Sequence, residues 1–314
     1  MRSRAGMIPL LVSEIVSETP SIVSVRLEAS DGSPLPPWVP GAHIDVQLIT
    51  RHERQYSLCG DPADLTGYRI AVLREPASRG GSYYIHSFLR VGSRVWVRPP
   101  RNLFALSEAP AYLLLAAGIG ITPILAMARH LAAEGADWRM SYLARHRDGI
   151  AFSAELEGLG DRVTTHISSE RGRLDLAGLL ADIAPGTAVY ACGPQGFIDE
   201  LAGLADALPE GSSIHVERFE PKPREHRPNE AFSVVCSRSE VTVEVPAQRS
   251  MLDALADAGV SVGGSCLRGV CGSCALNVLE GLPEHRDSLN ADDDSMTIYP
   301  CVSRSISREL VVDV

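Results

Sequence analysis

Residues 263–274 read Gly-Gly-Ser-Cys-Leu-Arg-Gly-Val-Cys-Gly-Ser-Cys, and one more cysteine, Cys301, lies well downstream. Cys266, Cys271 and Cys274 are therefore spaced C-x4-C-x2-C with a distant fourth partner, the pattern by which four thiolates hold a 2Fe-2S cluster. Soft sulfur stabilises iron in both of its oxidation states, and three sulfurs converge more readily from a loop than from a helix. The four glycines of this stretch let backbone N–H groups approach the cluster's sulfides. A structural zinc site usually takes paired short spacings, and unligated core cysteines need no spacing at all. The reading adopted is iron and sulfur.

The flanks build a small domain around this loop. Phe232 to Ser237 and Val241 to Val245 alternate and are rich in valine, which predicts a hairpin. Ser250 is placed as a helix N-cap, with Asp253 three residues on and Gly259 closing the segment 251–258. A strand at Ala275 to Leu279 and a last one at Leu310 to Val314 complete it. This order resembles the plant-type ferredoxin fold, an open β-grasp sheet with a helix packed on it.

A chain of 314 residues predicts two or three domains, and 45% hydrophobic with 22% charged residues is a globular composition. The formal charge of −10 argues against nucleic acid as a partner. Residues 232–314 carry 12 acidic and 6 basic side chains, net −6, leaving −4 for the rest. Seven cysteines, four of them grouped, and no signal-peptide pattern at Met1 to Ser13 predict a reducing cytoplasm. Ala109 to Ala128 is free of charge and as long as a membrane span. Pro110, Gly118, Gly120 and Pro123 break it into a buried strand at Tyr112 to Ala116, a glycine turn and a helix from Thr122 to Glu134, so no membrane is expected.

Upstream, short strands punctuated by turns run at 10–16, 22–28, 43–49, 55–58, 68–73 and 94–98, with a helical stretch only near 83–89. That is the signature of a small antiparallel β-barrel. From Ala109 strand and helix alternate, at 140–144, 151–159, 162–167, 174–181, 188–192 and 195–207, which calls for a doubly wound α/β domain with a parallel sheet. The stretch 220–231 holds three prolines and six charged residues and is expected to be a semi-rigid linker. The expected division is thus a barrel at 1–108, an α/β domain at 109–219, the linker, and a ferredoxin-like domain at 232–314.

Arg54-Gln55-Tyr56-Ser57 resembles the R-x-Y-S flavin signature of the ferredoxin reductase superfamily, and Gly118-Ile119-Gly120-Ile121-Thr122-Pro123 with Cys192-Gly193-Pro194 resembles its nicotinamide half. With the cysteines and the domain order, the whole chain resembles the phthalate dioxygenase reductase and vanillate demethylase reductase group. Arg54 offers a positive fork for a flavin phosphate, Tyr56 a ring to stack on isoalloxazine, and Ser57 a hydroxyl for the flavin near N5. Arg79-Gly80-Gly81-Ser82 precedes a helical stretch and can wrap a phosphate. By resemblance the flavin ends there, so FMN is expected rather than FAD. Gly118 and Gly120 let backbone approach a pyrophosphate, with the helix from Thr122 adding its dipole. Cys192, Gly193 and Pro194 sit at a strand end, where open α/β sheets bind ligands. The resemblance puts Cys192 near the hydride-donating carbon and Phe219 against the flavin, although a buried core cysteine and an apolar plug explain these two as well. Cys59 and Cys236 are read as core.

Nicotinamide delivers two electrons as hydride while a 2Fe-2S cluster accepts one, so a flavin must stand between them. The sequence therefore predicts an electron-transfer oxidoreductase, and the resemblance implies that a terminal oxygenase of the Rieske non-haem iron type receives the electron. A cluster that only senses oxidants would need no flavin, and a flavoenzyme acting directly on an organic substrate would need no partner. Ala144, in Ala144-Arg145-His146-Arg147, offers no hydroxyl where phosphate-binding relatives place serine, which favours NADH over NADPH. Asp292-Asp293-Asp294 before Cys301 is expected to steer a basic partner.

Overall fold

The computed structural model describes residues 4, 6–48, 53–76, 80–223, 225–290 and 294–314. The chain forms two compact units, Met1–Glu217 and Arg218–Val314. Arg79, Asp292 and Asp293 lie outside the described residues.

The first unit opens with β1 (Ile8–Thr19), β2 (Ile22–Ala29), β3 (Ala42–Gln47), β4 (Glu53–Ser57), β5 (Gly67–Leu73), β6 (Arg94–Val97) and β7 (Arg101–Asn102). They lie in the order β4-β3-β6-β1-β2-β5, with β7 on β3, and a bridge from Leu58 to Ile70 joins the ends into a barrel. Alternation drives the closure: Leu10, Val12, Val25, Leu27, Ile44, Val46, Val95 and Val97 all point into one core. Helix α1 (Gly81–Phe88) crosses between β5 and β6, held to the barrel by His86 Nε2 at 2.9 Å from the Val72 carbonyl. It begins two residues earlier than the apolar pattern suggests. Gly80, left-handed at φ 95, turns the chain into it.

The same unit continues with β8 (Ala111–Ala117), α2 (Ile121–Ala133), β9 (Trp138–Ala144), α3 (Ser153–Gly158), β10 (Val163–Ile167), α4 (Ser168–Arg171), α5 (Leu176–Ala181), β11 (Thr187–Cys192), α6 (Gln195–Ala202) and β12 (Ser213–Glu217). The strands form a parallel sheet ordered β10-β9-β8-β11-β12. The central strands β8 and β11 are almost wholly buried, as a sheet covered on both faces requires. The order reverses beside β8, so the crevice at the carboxyl ends of β8 and β11 is a topological switch point. The long uncharged stretch from Ala109 is thus β8, a turn and the start of α2; among the described residues no helix is long and apolar enough to cross a membrane.

In the second unit β13 (Phe232–Cys236), β14 (Val241–Val245), α7 (Met251–Asp257), β15 (Leu276–Glu280), β16 (Pro283–Glu284), β17 (Thr297–Ile298), β18 (Arg304–Ser305) and β19 (Glu309–Val312) follow. The main sheet runs β14-β13-β19-β15-β17, with β13 and β19 parallel, and β16 pairs with β18. Met251, Ala254 and Leu255 of α7 seal its core. Ser250 caps α7 as expected, its hydroxyl accepting the Asp253 N–H at 3.1 Å. The segment before β13 is exposed yet tied to this unit. Buried Arg304 donates to the carbonyls of Glu230, Pro246 and Arg249, and Arg286 donates to Arg227 and Asn229.

Candidate functional site

In the first unit three strands end together. Cys192 at the end of β11 is in register with Ala116 of β8 on one side and Glu217 of β12 on the other. Ser57, the last residue of β4, donates its hydroxyl to Glu217 Oε2 at 3.3 Å. The signature serine of the barrel and the cysteine of the α/β sheet are thereby brought to the same carboxylate.

Burial sets the ionisation here. The Cys192 thiol is pushed well above its usual range by burial and then by the Glu217 charge, so it stands neutral. Burial also pushes the Glu217 carboxyl up to about 8, the Ser57 hydrogen bond pulling weakly the other way. Glu217 is the residue that sequence reasoning missed. Its strand, Ser-Ile-His-Val-Glu, is short and half-buried throughout, and only the acidic residue closing it two places before Phe219 gave a sign.

The glycine turn lies against this group. A Cβ on Gly120 would sit 2.1 Å from the Cys192 carbonyl oxygen, so β8 and β11 approach this closely only with glycine there. Gly118 takes φ 57, and its carbonyl accepts the Tyr142 hydroxyl at 3.1 Å. Thr122 turns its hydroxyl back onto the Ile119 carbonyl at 3.0 Å. Gly193 is wedged between Ala117 and Phe197, and Pro194 starts α6. Backbone N–H groups at the starts of α2 and α6 thus border one crevice, suited to an anionic ligand.

On the barrel side Arg54 lies along Gly81, where an added Cβ would come within 3.0 Å of its Cγ. Its Nε comes within 3.2 Å of the same point and NH1 donates to the Glu53 carbonyl at 2.9 Å, so a cation is held at the start of α1, and a cation with a helix N-terminus is the combination that holds a phosphate. Ser82 Oγ also accepts the Glu75 N–H at 3.2 Å. Tyr56 packs against the barrel core, and burial pushes its phenol above the ordinary range. Phe219 is half-buried and belongs to the second unit, just past the boundary.

In the second unit the four cysteines meet. Cys271 and Cys274 are buried while Cys266 and Cys301 are half-exposed. The Cys266 thiol is pulled below its ordinary range by the neighbouring Cys271 and Cys301 thiols, and Cys274 by Cys301. The Arg268 N–H donates to Cys266 Sγ at 3.3 Å, and Ser273 Oγ lies 3.1 Å from Cys271 Sγ. Gly269 and Gly272 take positive φ, as does Leu267. Four convergent soft donors, N–H groups aimed at sulfur and a loop turned by glycine fit a 2Fe-2S cluster.

Behind this loop stands a buried polar group. The Asp287 carboxylate accepts the backbone N–H groups of Leu289 and Asn290 and the Ser303 hydroxyl at 2.9, 2.7 and 3.2 Å. Its neighbour Ser288 donates its N–H to the Gly269 carbonyl at 2.8 Å, and a Cβ on Gly269 would strike the Asp287 backbone. Asp287 therefore joins the 266–274 loop to the segment carrying Cys301.

Residues 234–305 match the family model of the 2Fe-2S iron-sulfur cluster binding domain. The β subunit of a heme-dependent oxidative N-demethylase from Ectopseudomonas mendocina (strain ymp) is 41% identical, covering 98% of this chain and 99% of that one. The solved structure of phthalate dioxygenase reductase, described as modular for electron transfer from pyridine nucleotides to [2Fe-2S], is 38% identical at TM-score 0.73, covering 98% of both chains. The chain belongs to the phthalate dioxygenase reductase and vanillate demethylase reductase group. Full-length CYP116B46 from Tepidiphilus thermophilus also aligns, at 40% identity and TM-score 0.86, covering all of this chain. This chain spans 43% of that one, so membership of the reductase group rests on the full-length relatives. Barrel, parallel α/β sheet and ferredoxin-like sheet are the architecture the group's resemblance implied.

Proposed function

We propose that this protein is the reductase component of an oxygenase system, taking electrons from NADH through FMN to its 2Fe-2S cluster and on to a terminal oxygenase. The observation that carries this is the presence in one chain of both the Ser57, Cys192 and Glu217 strand-end group and the four-cysteine loop. The working division is a flavin barrel at 1–108, a nicotinamide domain at 109–219, a linker at 220–231 and the cluster domain at 232–314. Nicotinamide supplies an electron pair, flavin accepts pairs and gives single electrons, and a 2Fe-2S cluster carries one at a time.

The chain's own residues bind, orient and hold protons. Arg54 with the start of α1 anchors the flavin phosphate, in a stretch that includes Arg79. Tyr56 supports the flavin ring and Ser57 orients the ring edge. Gly118, Gly120 and Thr122 receive the dinucleotide's pyrophosphate, while Gly193 and Pro194 shape the crevice beside Cys192. A neutral thiol at Cys192 adds bulk beside the nicotinamide without a competing charge. Burial keeps a proton on the Glu217 carboxyl up to about pH 8, while Ser57 Oγ donates to its Oε2. By resemblance Phe219 is the aromatic assigned to the flavin. Cys266, Cys271, Cys274 and Cys301 hold the cluster.

The partner proposed is a Rieske-type non-haem iron oxygenase in the same cytoplasm, met through the acidic end of the chain. Likeness to phthalate dioxygenase reductase supports this class, while the relation to a heme-dependent N-demethylase makes a haem partner the alternative to test. The test is an anaerobic titration with NADH, followed by capture of the partner. Flavin absorbance should fall and the spin signal of a reduced 2Fe-2S cluster should appear. Zinc without iron and acid-labile sulfide would overturn the reading, and haem in the captured partner would overturn its Rieske assignment.

A further inference from the structure

The barrel and the parallel sheet of the first unit are also joined by a group of charged side chains that the proposed function does not use. Arg129 of α2 donates NH1 to the carbonyl of Cys59 at 2.7 Å, two residues beyond Ser57. Its NH2 pairs with Glu155 of α3. The other oxygen of Glu155 accepts from Arg69 NH1 of β5 at 2.7 Å, and Arg69 NH2 pairs with Glu18 of β1 at 2.8 Å. Arg69 also lies 4.7 Å over the ring of Phe152, the left-handed residue from which α3 starts, and its carbonyl accepts the Cys59 N–H at 2.9 Å. The side chains are between 10% and 29% exposed, so water does little to screen them.

Two arginines and two glutamates balance, and Glu155 is the carboxylate that bridges the two halves. Arg69 belongs to the strand layer that carries Ser57. Arg129 belongs to the helix that begins at the Gly118–Gly120 turn, and Ala126, on the same helix, is buried in the barrel core. Burial, with the like charge of Arg69, pulls the Arg129 guanidinium below its ordinary range, so these cations face each other at a cost unless a carboxylate lies between them.

We propose that Glu155 is a positioning residue which fixes the nicotinamide-binding half of the unit against the flavin-binding half, and so sets the approach of one ring to the other. This rests on the reading of those two halves given under the proposed function. Transfer between bound groups is steeply sensitive to such placement: an error of about 1 Å can cost about 100-fold in rate.

The test compares Glu155→Gln, Glu18→Gln and the unaltered holoprotein by rapid mixing with NADH under anaerobic conditions. Glu18→Gln removes the same charge, but Glu18 and Arg69 both belong to the barrel, so flavin reduction should stay at the parent rate. Glu155→Gln should slow flavin reduction at saturating NADH by about ten- to a hundred-fold, with flavin content and half-saturating NADH unchanged. Arg129→Gln, which frees one oxygen of Glu155 and also removes the separate tie from α2 to the Cys59 carbonyl, should repeat this and decides the matter if Glu155→Gln does not fold. Parent rates in both bridge variants would overturn the proposal, as would loss of flavin or of NADH saturation in proportion to the rate. Amide exchange needs no NADH and separates this idea from the functional reading. Exchange at Cys59 and in the first turn of α2 should quicken about tenfold in Glu155→Gln and not in Glu18→Gln, and equal exchange in all three would sink the clamp even if NADH proved not to be the donor.

Discussion

Replacing Gly120 by alanine tests how the crevice is built. The added Cβ would lie 2.1 Å from the Cys192 carbonyl oxygen, 2.3 Å from its carbon and 2.7 Å from the Gly193 nitrogen. Ordinary contact begins at 3.4 Å, so 3.4 − 2.1 leaves about 1.3 Å to be found. No side chain can swing away, because all three obstacles are main chain and Cys192 is held in the ladder between β8 and β12. Overpacking of this kind costs about 1–3 kcal/mol, and a backbone obstacle places it at the upper end. A loss of about 3 kcal/mol in a unit of this size lowers Tm by about 6–12 °C. The displaced strand end carries Cys192, so flavin reduction by NADH should fall by about 100-fold while dithionite, which needs no crevice, still reduces the flavin. Gly118→Ala is the control. No atom lies within 4 Å of its added Cβ, and only the backbone angle of φ 57 is unfavourable, at about 1–2 kcal/mol. Melting followed by flavin fluorescence, with rapid-mixing kinetics, reads both variants. A Gly120→Ala protein that melts and reacts like the parent, or a Gly118→Ala protein that suffers more, would refute the close-approach argument.

Glu217→Gln tests the raised carboxyl: the folded protein retains its proton from the ordinary 4.5 up to about 8, so the parent loses stability as pH rises through that window, by up to about 1.4 kcal/mol per unit. The amide variant should match the parent near pH 5 and exceed it near pH 8 in urea melts; parallel curves would disprove the assignment. Cys271→Ser should abolish the cluster while NADH oxidation by ferricyanide persists, because the cysteine lies in the second compact unit, and equal loss of both activities would contradict the modular arrangement. Asp287→Asn removes a buried negative charge tied to the cluster loop and to Ser303, so the cluster's midpoint potential should rise in a spin-resonance redox titration; a fall would count against the electrostatic account. Neutralising Asp292, Asp293 and Asp294 to asparagine should slow reduction of the oxygenase partner most at low salt and leave ferricyanide reduction unchanged, and partner rates indifferent to both salt and substitution would show these charges only solvate the surface.

What could be read in advance was what is local in the chain. The alternation of Val243 and Val245, the Ser250 cap and the uncharged run of β8 each carry their structure in a few neighbouring residues, and the strands and helices fall close to where pattern placed them. The cysteine spacing was likewise legible because the ligand loop is nearly contiguous. β12 was not, since five half-buried residues give too short a period, and with it went Glu217, whose meaning depends on Ser57, 160 positions away. Arg54 against Gly81, Arg129 on Cys59 and Asp287 beneath Gly269 are equally products of folding. A motif shows which side chains are offered; the partner that sets their charge and angle comes from elsewhere in the fold.

The hydrogen bonds from Arg304 and Arg286 to the segment before β13 bear on how such a module can be exchanged between chains. Cut at Phe232, the cluster unit would keep both arginines but lose the Arg227, Asn229 and Glu230 groups that satisfy them, leaving buried guanidinium donors with fewer partners. Cut before Arg227, it carries its own strap. Proline-rich, charged sequence is ordinarily where one would splice freely, yet here half of that stretch is part of what it is supposed merely to connect. A graft that respects the strap should transfer an intact electron carrier to a new donor, whereas one that follows composition alone would transfer a loosened one.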